Sequence, residues 1–166
     1  MKITVLGAGA WGTALARLLI QGDHQVTLWG HVADWLDEIR QAGRNERFLP
    51  GIDLPRQLLL QSDLPRAIAG AECIVVAVPS QPFRQVTSQL AGFSGPIVSV
   101  TKGIEYDTGL TMCGVLAQTA PHARSCADAG PEPYARSSCS CSCADARPEP
   151  HARAHGERDA ASHLRA

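Results

Sequence analysis

Near the start of the chain, Gly7-Ala-Gly9-Ala-Trp-Gly12 places three glycines at spacings of two and three residues. A turn of this kind has a specific chemical use. Gly7 permits a tight turn, Gly9 has no Cβ to keep a diphosphate off the main chain, and Gly12 allows the following helix to lie close to the preceding strand. The helix N-terminus then presents free N–H groups and a partial positive charge to the phosphates. Three other residues fall at places where a bound ligand would meet them. Lys102, in Thr101-Lys-Gly103, is one of only two lysines among fifteen basic residues, and its ammonium suits a ribose, an alcohol oxygen or a phosphate. His31 follows Trp29-Gly30 and can hydrogen-bond a ribose or meet a phosphate. Ser80 follows Val78-Pro79 and reads first as a helix cap and second as a ligand contact.

These residues need elements to hold them, and the sequence alternates between two periods. Ile3-Thr-Val-Leu6 is short, β-branched and apolar, which predicts a buried strand running into Gly7. From Ala10 the spacing of Trp11, Leu15, Leu18 and Leu19 predicts a helix that stops at Gly22. Gln25–Trp29 reads as a second strand, and Val32, Trp35, Leu36 and Ile39 mark a second helix ending near Gly43. Leu58–Leu60 is a third strand, followed by a short helix through Leu64, Ala67 and Ile68 that Asp63 can cap. Cys73–Val78 is wholly apolar, as expected of a strand covered on both faces. Phe83, Val86 and Leu90 share one face of the next helix, Ile97–Val100 is a fifth strand, and Leu110–Leu116 a fifth helix. Strands alternating with helices pair in parallel through right-handed crossovers. The expected fold class is therefore α/β, a Rossmann-like doubly wound parallel sheet with its ligand crevice at the carboxyl ends of the strands. Gly7, Gly9, His31 and Lys102 all fall at those ends. No Asp or Glu closes the second strand, and Asp34 comes one helical turn late, so the pattern permits NADP as well as NAD.

Composition narrows the function. A net charge of −1 argues against a nucleic-acid binder that works by neutralising phosphates. The longest apolar run, Cys73–Val78, is far short of the ~20 residues of a membrane span, and no apolar stretch of signal-peptide length follows Met1. A cytoplasmic protein with reduced cysteines is expected.

Several segments in register give the front of the chain a family likeness. Gly7-Ala-Gly-Ala-Trp-Gly-Thr-Ala14, Val26-Thr-Leu-Trp-Gly30, Asn45-Glu-Arg-Phe-Leu-Pro-Gly51, Val76-Ala-Val-Pro-Ser80 and Thr101-Lys-Gly-Ile-Glu105 together resemble the N-terminal cofactor domain of NAD(P)-dependent glycerol-3-phosphate dehydrogenase. The glycine motif alone fits many dehydrogenases, whereas Asn45–Gly51 with Thr101–Gly103 is far more specific. The resemblance implies NAD or NADP as cofactor. It implies reversible hydride transfer to the C2 carbonyl of dihydroxyacetone phosphate, giving sn-glycerol 3-phosphate for phospholipid synthesis. It implies that Gly7, Gly9, Ala10, Trp11 and Gly12 hold the cofactor at the glycine turn, that His31 meets its adenosine end, and that Lys102 touches cofactor and substrate. No nucleic acid or metal is implied as a partner, and a homodimer is compatible with the likeness. In the family a sixth strand with a Ser-Gly-Pro-type segment and a helical domain follow, and that domain carries the catalytic lysine. This sequence shows no counterpart of either, so the catalytic acid/base is expected to be missing and the chain inactive alone. Two other readings stand beside this one: a non-catalytic dinucleotide-binding module, and a dehydrogenase of the same superfold acting on a 3-hydroxy acid.

The sequence divides near residue 122. Residues 1–122 read as the dinucleotide-binding domain. Residues 122–166 contain no Val, Ile, Phe, Trp or Met, and their composition predicts a disordered, low-complexity tail over 123–166. Cys126–Arg136 recurs as Cys143–Arg153 with nine of eleven positions alike. Cys139, Cys141 and Cys143 stand two apart in a Ser-rich stretch, a spacing unlike the separated ligand pairs of a zinc finger. The resemblance implies a helical domain that covers apolar surface near the fifth helix, and without it Leu110, Met112, Val115 and Leu116 are expected to be partly exposed. So abrupt a break is what a change of reading frame near residue 123 would produce. Sequencing the gene checks this: another frame downstream is expected to encode a Ser-Gly-Pro strand and a helical domain, and their absence from every frame rules the frameshift out.

Overall fold

The computed structural model describes residues 1–127; all of the tail repeat but its first two residues, and the Cys139–Cys143 cluster, lie outside the described residues. Six strands form one sheet: β1 (Lys2–Leu6), β2 (Gln25–Trp29), β5 (Leu59–Gln61), β6 (Cys73–Val76), β7 (Pro96–Ser99) and β8 (Arg124–Ala127). Their order is β5-β2-β1-β6-β7-β8, and every neighbouring pair is parallel. The helices are α1 (Ala10–Gln21), α2 (Ala33–Ala42), α3 (Leu64–Ile68), α4 (Ser80–Thr87) and α5 (Met112–Thr119). Strand order reverses direction between β1 and β6. There the connections that leave the two strands depart to opposite sides, which opens a crevice at their carboxyl ends.

Both faces of the sheet are covered, so alternate residues of one strand enter different cores. Ile3 and Val5 pack with Val26, Leu28, Val75 and Ala16 of α1. Leu6, Ile74 and Val76 pack on the other side with Phe83, Val86 and Leu90, and with Val115 and Leu116 of α5. Asp63 caps α3 as expected, its carboxylate accepting from the Arg66 N–H. In α4 the cap position belongs to Pro79, and Ser80 is the first helical residue; proline's φ of −57° supplies the entry that a serine side chain was expected to supply.

Four further differences from expectation have physical reasons. The buried face of α1 is Gly12, Thr13 and Ala16, while Trp11 and Leu18 are exposed, because only small side chains let this helix sit close on the sheet. Residues Arg44–Asn45 (β3) and Leu49–Asp53 (β4) form an antiparallel hairpin that no apolar alternation announces. A sixth parallel strand, β8, is present just past the expected end of the pattern near His122; Arg124-Ser-Cys-Ala127 lacks β-branched residues and is recruited through main-chain pairing to β7. Met112, Val115 and Leu116 are buried rather than partly exposed, because α5 packs against α4 and β8. Only Leu110 of that group is half-buried.

The backbone of α1 lies tight against the turn that leaves β1. A Cβ built on Gly12 would lie 1.9 Å from the Gly7 carbonyl oxygen. Gly12→Ala is therefore expected to lower stability by about 3 kcal/mol, as overpacking at a rigid main-chain contact does. Urea denaturation measures it, and an unchanged midpoint would show that the helix can slide away at no cost.

Candidate functional site

Gly7 begins the site. It leaves β1 with φ of +120°, and a Cβ there would lie 2.6 Å from the Ala77 carbonyl oxygen. Glycine is thus required twice over, by conformation and by contact with the end of β6. The Gly7 N–H donates to Trp29 O at 2.9 Å, so the turn is also tied to β2. Gly9 is different. Its φ of −78° suits any residue, and a Cβ there would meet nothing within 4 Å. The space over Gly9 belongs to the crevice, and it is open where a side chain would otherwise stand. Gly9 is the N-cap of α1, and the first turn of that helix carries no acidic residue to offset its positive end.

The turn opens into a cavity of about 970 Å³ at the β1/β6 reversal. Gly7, Gly9, Ala10, Trp11, His31 and Lys102 all line it, so the structure brings these residues together from the ends of β1, β2 and β7. Gly12 lies behind them and shapes the turn without lining the cavity. Ser80 lines it beside Pro79. Asp34 does not line it, in keeping with its late position in the sequence.

One wall was not legible from residue spacing. His31 meets Trp35 edge-on at 6.0 Å, and Trp35 meets Phe48 edge-on at 5.7 Å. The Arg47 guanidinium sits 4.5 Å above the Trp35 ring, a cation–π contact. Arg47 also faces Glu38, an acid in the cavity wall, at 3.9 Å. Trp35 counted in the sequence only as one apolar position of α2, and its half-exposed ring on the cavity side is the result of α2 meeting the hairpin. Asn45 joins that hairpin to the glycine turn: its side-chain Nδ2 donates to Ala8 O at 3.0 Å and to Thr13 Oγ1 at 2.8 Å.

The Lys102 loop is held from two sides. Thr101 Oγ1 donates to Val78 O at 2.7 Å, which ties the end of β7 to the segment after β6. Farther along, Arg84 of α4 donates through Nε and Nη2 to the two Glu105 carboxylate oxygens, each at 2.7 Å. Thr108 Oγ1 donates to the same carboxylate. The loop thus has a fixed charged anchor three residues from Lys102.

Comparison with known proteins agrees with this geometry. Residues 2–133 match the profile described as NAD-dependent glycerol-3-phosphate dehydrogenase N-terminus. The chain belongs to this family. A glycerol-3-phosphate dehydrogenase [NAD(P)+] of Syntrophomonas wolfei is 43% identical over 118 residues, covering 69% of this chain and 34% of that protein. One from Anaeromyxobacter sp. is 46% identical over 124 residues, covering 73% of this chain and 37% of that protein. The crystal structure of glycerol-3-phosphate dehydrogenase from Coxiella burnetii superposes with a TM-score of 0.68 at 33% identity, over 74% of this chain and 38% of that one. The chain thus spans little more than a third of the length of the curated relatives it matches. The matched segment includes β8 and ends six residues beyond it.

The Arg84–Glu105 pair has a pH signature. Hydrogen bonds from Arg84 and then Thr108 hold the Glu105 carboxyl down at about 2, against an ordinary value of 4.5. A depressed carboxyl stabilises the fold fully above its unfolded value, and the contribution is lost as pH falls toward 2. Glu105→Gln is expected to melt below the native chain at pH 7 and to approach it as pH falls from about 4.5 to 2. Thermal melts across that range check it; a gap that stays constant with pH would dissociate the ion pair from stability.

Proposed function

We propose that this chain is the cofactor-binding half of an NAD(P)-dependent glycerol-3-phosphate dehydrogenase. In this reading the reduced nicotinamide, when bound, supplies the hydride that converts dihydroxyacetone phosphate to sn-glycerol 3-phosphate, a precursor of phospholipids made in the cytoplasm. One observation carries the reading: the open space over Gly9, at the uncompensated N-terminus of α1, faces a cavity at the β1/β6 reversal. A diphosphate fits that place for the reason a Cβ would. It needs main-chain N–H groups and no side chain in the way.

Each residue then has a task. Gly9, Ala10 and Trp11 hold the diphosphate through the first turn of α1. Gly7 and Gly12 shape that turn from behind. His31, with Trp35 beside it, holds the adenosine end, and no acid at the end of β2 opposes a 2′-phosphate, so both NADH and NADPH are accepted. Lys102, carried past the end of β7, reaches the nicotinamide side and the substrate, where an ammonium stabilises oxygen charge. Proton delivery to the carbonyl oxygen falls to the helical domain of the complete enzyme, as the family resemblance implies. The match to relatives named as NAD(P)+ enzymes supports the cofactor class, and the short coverage of those relatives is why turnover is assigned to the complete protein.

Titration of the purified chain with NADH and NADPH, followed by calorimetry, tests the reading. Binding of either is expected, without turnover of dihydroxyacetone phosphate. Gly9→Val is expected to fold normally, since its side chain enters open space, yet to bind the dinucleotide at least ~100-fold more weakly, about 2.7 kcal/mol. Equal affinity in the variant would move the diphosphate elsewhere.

A further inference from the structure

We propose that Asn45 is the positioning residue of the diphosphate turn: its side-chain amide fixes the orientation of the Ala8–Gly9 peptide and ties it to the adenosine wall. The inference rests on the cofactor reading above and adds a residue to it.

Asn45 is 1% exposed, and all three hydrogen bonds of its amide lead to the site. Nδ2 donates to Ala8 O at 3.0 Å and to Thr13 Oγ1 at 2.8 Å, and Oδ1 accepts from the Phe48 N–H at 3.3 Å. The partners fix which end of the amide is which, because a carbonyl only accepts and an N–H only donates. Both N–H groups are therefore committed to the segment that opens α1. Thr13 N–H donates in turn to Gly9 O at 3.0 Å, so Asn45 grips the chain on both sides of Gly9.

The grip has a consequence for phosphate binding. Ala8 lies between two glycines, where a peptide plane turns over at little steric cost. In a trans peptide the Gly9 N–H points opposite to the Ala8 carbonyl. Drawing the Ala8 carbonyl onto Asn45 therefore commits the Gly9 N–H to the other edge of that plane. Losing the amide frees the carbonyl to turn toward the phosphates, and its partial negative charge then repels them. Asn45 is also the last residue of β3, and the Phe48 N–H that it holds belongs to the hairpin carrying Arg47 and Phe48 into the cavity wall. One side chain thus sets the distance between the surface that meets adenosine and the turn that meets phosphate.

Asn45→Asp in the full chain tests this, because it keeps the shape and the acceptor for Phe48 while replacing both N–H donors with oxygen. Affinities are measured at neutral pH for NADH, ADP-ribose and adenosine, with thermal melts of each protein. The expected result is a folded variant whose affinity for NADH and ADP-ribose falls roughly 30- to 100-fold, while adenosine binding changes less than about threefold. An equal fall for adenosine and ADP-ribose would overturn the proposal, since it would make Asn45 a brace for the hairpin alone. So would unchanged affinity in a folded variant. A native chain that binds neither NADH nor ADP-ribose would instead overturn the cofactor reading. Should Asn45→Asp fail to fold, the native chain decides by NMR: the Asn45 side-chain amide protons are expected to shift and exchange more slowly with ADP-ribose and not with adenosine. Amide protons that stay fixed while Gly9 and Ala10 shift overturn the role.

Discussion

A contact between two stretches of bare main chain governs this fold. The Gly7 carbonyl oxygen lies where a Cβ on Gly12 would stand, at 1.9 Å, and Gly7 itself is pressed against the Ala77 carbonyl oxygen at the end of β6. Nothing larger than hydrogen fits at either point. This close approach lets α1 start directly over the junction of β1 and β6, with its N-terminal N–H groups aimed along the strand ends. Had α1 stood off by the width of a methyl group, its first turn would no longer close the bottom of the cavity. The small buried face of the helix, Gly12, Thr13 and Ala16, follows from the same demand.

The rest of the site is assembled around that contact by polar ties of unequal reach. On one side Asn45 links the β3–β4 hairpin to the turn, and the hairpin completes an aromatic wall that α2 begins with Trp35. On the other, Thr101 and the Arg84–Glu105 pair hold the Lys102 loop to the segments that follow β6. Both ties pair a buried or half-buried polar group with partners that satisfy it, which makes each geometry costly to leave. The sheet carries the glycine turn rigidly, while the hairpin and the Lys102 loop are attached to it at only a few points. Residues of both attached pieces line the cavity.

Much of this is legible in the sequence. The apolar run Cys73–Val78 predicts a strand covered on both faces, and Asp63 predicts a helix cap; the strand is found over Cys73–Val76, and the cap is found at α3. The sequence places Gly7, Gly9, His31 and Lys102 at strand ends, and all four line one cavity. Where the reading erred, the cause was a tertiary contact that local pattern does not carry. Trp11 and Leu18 matched a helical stripe and yet are exposed, because space over the sheet favoured the small residues between them. Met112, Val115 and Leu116 are covered by packing with α4 and by β8, a strand whose Arg-Ser-Cys-Ala sequence has no strand signature of its own.

From sequence alone came the alternation of strands and helices, the position of the glycine turn and the family likeness. Those properties depend on residues close together along the chain, and period and spacing record them directly. Only the folded chain decided which side chains meet across the cavity. Asn45 reaching Ala8, Arg47 over Trp35 and Arg84 gripping Glu105 join residues 37, 12 and 21 positions apart. Their pairing follows from how far each helix and hairpin can approach the sheet, and steric fit in three dimensions sets that distance.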